Sequence, residues 1–354
     1  MDGTDGTDGA GRAGPTTGTE GSRIGVTGSV TLPDGRELAY EEYGDPTGFP
    51  VFSCHGGLSS RFDAASAHEA AVAKRVRLIS PDRPGMGLST YQPGRRLVDW
   101  PRDVTHLADS LGIGRFAVMG WSAGGPYAAV CAAKLEGRVT AAALLSSSVP
   151  LDRYGTSRGL TFDDRVLLYL SRHAPSLASV IMKVSIVNAS NTRLLRVVMR
   201  SFPPVDRSVL TEFGPPELAL SFLRESLRQG TEGPIQDYRI FGDPWGFELE
   251  EIRVPVQIWE GSDDTTGPPG YRAFLQQHIP DATVTVVPGE GHLSLLPHRA
   301  PAILEALLSG GPGAESTPEP NVGQANTAQD GPRTPGSAQD VAKTSPRPTD
   351  RPSW

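Results

Sequence analysis

At 354 residues, 38% of them hydrophobic and 21% charged, the chain is long enough to bury one large core or two ordinary ones. Its formal net charge of −7 argues against a nucleic-acid partner, which calls for clustered excess Lys and Arg. No window is apolar for long enough to span a bilayer and no secretory leader opens the chain, so no membrane partner and a cytoplasmic location are expected.

Residues 1–22 are mostly Gly, Thr and Asp, with a short DGT repeat and no aromatic or large aliphatic residue. Residues 310–354 are rich in Gly, Pro, Ser and Thr. Neither tail can bury enough apolar surface to offset the entropy of ordering, so both are expected to be disordered around a folded unit of 23–309.

Val26–Leu32, the turn Pro33-Asp34-Gly35 and Glu37–Tyr43 read as an antiparallel hairpin. Val51–Cys54 is a strand, Phe62–Arg75 an Ala-rich helix, and Val76–Ser80 a strand. Leu97–Leu111 reads as a helix, Phe116–Gly120 as a strand, Ala123–Leu135 as a helix and Val139–Ser146 as a strand. After a long interval, Val254–Glu260 and Thr283–Val287 are strands, and Pro297–Leu308 is a closing helix. This alternation predicts an α/β fold: a mostly parallel central sheet with helices on both faces, its ligands at the carboxyl ends of the strands. Cys54 and Cys131 lie in apolar runs and read as buried free thiols.

The segment 147–253 is far longer than a crossover requires. Apolar residues recur there at three- and four-residue steps, predicting helices over Asp163–Ser171, Leu177–Val187, Asn191–Arg200 and Pro216–Gln229. It reads as a helical cap over a core made of 23–146 and 254–309. Phe162, Met182, Phe222 and Trp245 are its candidate pocket residues, although packing within the cap is the plainer role for most of them. Such a cap is expected to govern substrate choice more than chemistry.

Gly120-Trp121-Ser122-Ala123-Gly124 fits G-x-S-x-G, the strained strand-to-helix turn that exposes a nucleophilic serine. Gly155-Thr156-Ser157-Arg158-Gly159 fits it too, but follows no strand, so context selects Ser122. Gly112-Ile113-Gly114 mimics a dinucleotide fingerprint yet precedes its strand, and is set aside. A serine hydroxyl needs a base, and the base needs an orienting acid. His292, in the loop after Thr283–Val287, is the candidate base. His55 also follows a strand; His68, His106, His278 and His298 are expected at the surface, and His173 belongs to the insert. Asp263 and Asp264 both follow Val254–Glu260, and position alone does not choose between them. No Cys/His spacing suits a metal, and no cofactor is called for.

The order Ser122, Asp264, His292 resembles the α/β-hydrolase family. His55-Gly56-Gly57 is similar to its oxyanion loop, and Asp82-Arg83-Pro84-Gly85-Met86-Gly87-Leu88-Ser89 to its D-x-P-G-x-G-x-S turn. The resemblance covers nearly all of 23–309 and implies Asp264 rather than Asp263 as the acid. It makes His55 and Arg83 structural. It implies an oxyanion hole from the N–H groups of Ala123 and of Gly57 or Leu58, and a serine hydrolase acting on a small-molecule ester or related acyl compound. Carbon–carbon bond hydrolysis, peroxide chemistry on the same triad and a non-catalytic receptor are the alternatives. Oligomeric state leaves no mark in the sequence.

Overall fold

Eight strands form one sheet in the computed structural model, which describes residues 25–154, 160–189, 200, 202–212, 222–267 and 270–310. They are β1 (Val26–Thr31), β2 (Glu37–Gly44), β3 (Phe49–Cys54), β4 (Val76–Pro81), β5 (Phe116–Trp121), β6 (Val139–Leu145), β7 (Val256–Gly261) and β8 (Ala282–Val287). The spatial order is β1-β2-β4-β3-β5-β6-β7-β8. The hairpin β1–β2 packs antiparallel on β4, and every later pairing is parallel.

The central parallel strands β5 and β6 read as nearly unbroken apolar runs because both of their faces are buried. Successive side chains divide between two cores with a period of two. Phe52, Phe116, Val118, Leu144 and Ile258 face one core, with α2 (Trp100–Ser110) and α3 (Gly125–Lys134) against them. Val51, Ala117, Met119, Ala143 and Leu145 face the other, covered by the closing helix Leu295–Ser309 and by α1 (His68–Ala73). Cys54 and Cys131 are buried and free, and burial pushes the Cys54 thiol up to about 12.

The helix expected over Phe62–Arg75 is divided. Arg61–Ala67 is a 3-10 segment capped by Ser60, and only then does α1 begin. Between β6 and β7 lie α4 (Leu151–Tyr154), α5 (Phe162–His173), α6 (Pro175–Ala189), α7 (Pro204–Glu212) and α8 (Glu232–Gly242). The helices α5 and α6 contain the two expected at Asp163–Ser171 and Leu177–Val187. Of Asn191–Arg200 only residue 200 is described, and of Pro216–Gln229 only residues 222–229, helical over 222–226. Ser157 and its glycines also fall outside the described residues, as do 1–24 and 311–354.

Neither α7 nor α8 was expected. Gly233 and Pro234 fall in the first turn of α8, where proline is well tolerated. A Cβ on Gly233 would stand 2.4 Å from the Gly85 carbonyl oxygen, so glycine lets α8 meet the Asp82–Ser89 turn. The helix α9 (Gly270–His278) crosses from β7 to β8, and α10 (Leu295–Ser309) closes the fold. Among the described residues no helix is long and apolar enough to cross a membrane.

Candidate active site

Ser122 directly follows β5 in the left-handed region, with φ +55°. A β-carbon in that conformation is strained, and the strain is held by packing on both sides of the turn. A Cβ on Gly120 would lie 2.3 Å from the Gly124 carbonyl oxygen, and one on Gly124 only 2.0 Å from that of Cys54. Both flanking glycines are therefore sterically required. The turn leads through the 3-10 segment Ser122–Gly124 into α3.

Beyond β8, Nδ1 of His292 meets Oδ2 of Asp264 at 2.9 Å. The other oxygen of Asp264 accepts from the N–H groups of Thr266, at 2.8 Å, and Gly267, at 3.2 Å. Burial opposes ionisation of Asp264, but the hydrogen bond and charge of His292 outweigh it, with Ser146 and Thr266 assisting, and the carboxyl lies below its usual range. An ionised Asp264 can only accept, so Nδ1 of His292 is the donor in this bond. Asp263 is exposed and accepts from Ser262 at 2.8 Å. The two neighbouring carboxylates thus point to different surroundings. A Cβ on Gly261 would lie 2.1 Å from the Glu290 carbonyl oxygen, so glycine allows the Asp264 turn to approach the His292 loop.

The His55–Leu58 loop lies across the elbow. A Cβ on Gly57 would sit 3.4 Å from that of Ala123, which brings the two expected oxyanion residues side by side. Leu58 is left-handed, with φ +48°. Among the described residues, the N–H groups of Gly57 and Leu58 have no protein acceptor. His55 is fully buried and neutral: burial, with the Arg83 charge, holds it well below the usual histidine range. Its Nε2 accepts from the Arg83 N–H at 3.1 Å, leaving Nδ1 to donate to the Gly56 carbonyl at 3.0 Å.

Arg83 braces this loop from behind. Its guanidinium donates to the carbonyls of His55 and Gly56 and, at 2.9 Å, to Asp237 of α8. Arg95 and the Tyr127 hydroxyl share the other oxygen of Asp237. Burial opposes the Asp237 charge, yet the two arginines bring its carboxyl down to about 2. The Asp82–Ser89 turn is built likewise. Asp82 accepts from the Leu88 N–H at 3.0 Å, and a Cβ on Gly87, at φ +51°, would stand 2.0 Å from Asp82 Oδ2.

Three contributors are specified by no motif position. Trp121 is the variable residue of the elbow, and its Nε1 donates to the His292 carbonyl at 3.1 Å. Asp206 of α7 is fully buried and accepts from the N–H groups of His292, Leu293 and Ser294. Asp63 accepts from the Gly56 N–H at 2.7 Å and from the Ser59 hydroxyl, and burial pushes its carboxyl up to about 6 despite those bonds. Asp206 falls outside every expected element and Asp63 within the expected Phe62–Arg75 helix, neither in a motif, and only the fold brings them to the site.

Of the four histidines expected at the surface, His298 is exposed, and His68, His106 and His278 are partly exposed. His68 accepts from the Gly44 N–H at 3.1 Å, and His298 faces Glu290 at 2.9 Å.

Ser122, Ala123, Gly57, Leu58 and His292 all open onto one cavity of about 590 Å3. Its far walls come from the segment between β6 and β7, among them Leu168, Val209, Phe222 and Phe241. Of the four expected pocket residues only Phe222 lines it. Phe162 is 78% exposed, Met182 packs against Leu167, Ala178 and Ile235, and Trp245 is buried in the main core beside Phe247. Each of these last two finds a closer apolar partner within its own layer. The charged residues on the cavity wall are Asp63, Asp164 and Asp237; among the described lining residues there is no Lys or Arg.

Comparison with known proteins gives the following. The sequence profile of the alpha/beta hydrolase fold family matches residues 50–298. A pimeloyl-[acyl-carrier protein] methyl ester esterase of Nitrosomonas europaea is 25% identical over 234 residues, 64% of this chain and 82% of that protein. A non-heme chloroperoxidase of Streptomyces lividans is 33% identical over 127 residues, 35% of this chain and 46% of that protein. Among solved structures, an esterase from Exiguobacterium antarcticum superposes with a TM-score of 0.61 at 19% identity, covering 79% of this chain and 99% of its own.

Proposed function

The chain belongs to the alpha/beta hydrolase fold family and is a hydrolase, and from that premise we propose that it is a serine esterase working through Ser122, His292 and Asp264. The observation that carries the reading is the 2.9 Å contact of His292 Nδ1 with an ionised Asp264, on a loop that opens into the cavity holding Ser122.

In this mechanism Nε2 of His292 takes the Ser122 proton as Oγ bonds to the ester carbonyl carbon. Asp264 stabilises the imidazolium that forms. The N–H groups of Ala123 and Gly57 receive the tetrahedral oxyanion, each such donor being worth about 3–4 kcal/mol. His292 then passes its proton to the departing alkoxide, leaving an acyl-serine. Water attacks that ester with His292 again as base, and the carboxylic acid leaves as Ser122 regains its proton. The helices between β6 and β7 serve as a cap, and the carboxylates and apolar side chains of the cavity suit an uncharged acyl group. Similarity to an esterase that acts on a methyl ester supports this substrate class.

The test is labelling with a fluorophosphonate probe followed by peptide mapping, alongside hydrolysis of p-nitrophenyl esters. Label on Ser122 with turnover is the expected result. Ser122→Ala is expected to remove both and to keep the melting temperature within about two degrees, because the strained φ persists whichever side chain is present. Label elsewhere, or turnover by Ser122→Ala, refutes the reading.

A second reading rests on the chloroperoxidase relative: hydrogen peroxide in place of water attacks the acyl-serine and releases a peracid. Peroxide-dependent bromide oxidation in acetate, lost in Ser122→Ala, distinguishes it from simple hydrolysis.

A further inference from the structure

We infer that Asp206, on α7 of the inserted segment, is a positioning residue for His292, so that the insert takes part in the chemistry as well as enclosing the substrate. The inference rests on His292 being the base, as proposed above.

Asp206 is completely buried, and among the described residues no Lys or Arg pairs with it. A carboxylate in that setting must be satisfied by hydrogen bonds, and all of those it makes go to one place. Its Oδ2 accepts from the His292 N–H at 3.0 Å. Its Oδ1 accepts from the N–H groups of Leu293, at 2.9 Å, and Ser294, at 3.0 Å. Three successive amides aimed at one anion form a nest, and such charge-assisted bonds are stronger than neutral ones. The nest fixes the backbone of His292 on the side opposite its carbonyl, which Trp121 holds. Asp264 holds the ring. Side chain, carbonyl and amide are therefore each held by a different element of the fold.

Gly291 shows how close the approach is. A Cβ there would stand 2.3 Å from Asp206 Oδ1, so the glycine before His292 is needed for the insert to reach the loop. Val209 lies one helical turn beyond Asp206 and lines the cavity. One helix thus touches the substrate space with one residue and orients the base with another. A base displaced by a fraction of an ångström loses rate while substrate still binds, because general-base catalysis depends on the Nε2–Oγ approach.

The test uses the whole protein and compares Asp206→Asn, Met182→Ala and His292→Ala. Asparagine can keep one oxygen on Leu293 and Ser294, but it turns an N–H toward the N–H of His292, so the disturbance centres on that residue. Asp206→Asn is expected to lower kcat on a short p-nitrophenyl ester by about 10–100-fold with KM within about twofold. Fluorophosphonate labelling of Ser122 is expected to slow in proportion. Met182→Ala loosens the same insert from within an apolar cluster whose buried members do not line the cavity, and is expected to lower the melting temperature while keeping kcat within about twofold. Wild-type kcat in Asp206→Asn overturns the inference. So does a kcat loss in Met182→Ala that matches Asp206→Asn, which would make the effect one of general loosening. Turnover by His292→Ala instead overturns the assignment of the base beneath it.

Discussion

The indole Nε1–H of Trp121 donates to the backbone carbonyl of His292 at 3.1 Å, and their ring centroids lie 5.9 Å apart. The residue preceding Ser122, the proposed nucleophile, is thereby tied to the residue proposed as its base, across 171 positions of sequence. Trp121→Phe keeps an aromatic ring and removes this one bond. A hydrogen bond of this kind contributes about 1 kcal/mol, so kcat is expected to fall by about fivefold with little change in KM. An unchanged kcat would show that the other supports of His292 suffice.

Asp263 and Asp264 offer a sharper comparison. Asp264 meets His292 Nδ1 and two backbone N–H groups, whereas Asp263 meets Ser262 at the surface. Asp264→Asn is expected to lower kcat/KM by about four orders of magnitude, as loss of the correct imidazole tautomer does in serine proteases. Asp263→Asn is expected to cost about tenfold or less. Both are read on one ester under one set of conditions; a larger loss for Asp263→Asn would transfer the acid role to it.

Asp63 sets a pH dependence of stability. Its carboxyl is raised from 3.8 to about 6, chiefly by burial, so between those values the folded protein holds a proton that the unfolded chain has released. The contribution is therefore fully present below about pH 4 and is lost as pH rises through about 6. Asp63→Asn, whose amide can still meet both Gly56 and Ser59, removes that loss. Its unfolding free energy relative to wild type is expected to climb by about 1–2 kcal/mol from pH 4 to pH 6, after allowance for partial exposure, and then level. Thermal unfolding at several pH values checks this; a constant difference would mean that Asp63 titrates normally.

The cavity wall predicts selectivity by charge and by length. With Asp63 and Asp164 facing it, the Asp237 charge matched by Arg83 and Arg95, and no basic side chain among its described lining, a dicarboxylic half-ester is expected to react a few-fold more slowly than a neutral ester of equal length. Phe222→Ala enlarges the far wall and is expected to shift the optimum toward longer acyl chains. Phe162→Ala, at an exposed position, is expected to leave it in place. A p-nitrophenyl ester series with and without a terminal carboxylate reads both effects. Equal rates for the charged and neutral members would remove the electrostatic part of the argument.

Much of this was legible in the chain because it is written in local chemistry. Period-two burial on a doubly covered sheet produces runs such as Phe116–Met119, and the strand–helix rhythm follows from it. The spacing of Gly120, Ser122 and Gly124 reflects contacts of 2.3 Å and 2.0 Å with neighbouring backbone, which leave those positions no alternative to glycine. Asp264 and His292 follow their strands directly, so strand order alone carries them to the same edge of the sheet.

What the tertiary structure decided concerns groups whose partners lie far along the sequence. Asp206, Asp237 and Asp63 resemble any helical or loop carboxylate until α7, α8 and the Arg61–Ala67 turn fold against the core. Their roles come from the removal of water around them. A buried carboxylate must find donors, and the donors available are the amides of the His292 loop, the guanidinium groups of Arg83 and Arg95, and the Gly56 N–H. The same holds in reverse for Phe162, Met182 and Trp245, whose apolar character is identical to that of Phe222 in sequence. Which of them faces solvent, which faces a core and which faces the cavity depends on the surfaces that surround the insert, and no local pattern encodes those surfaces.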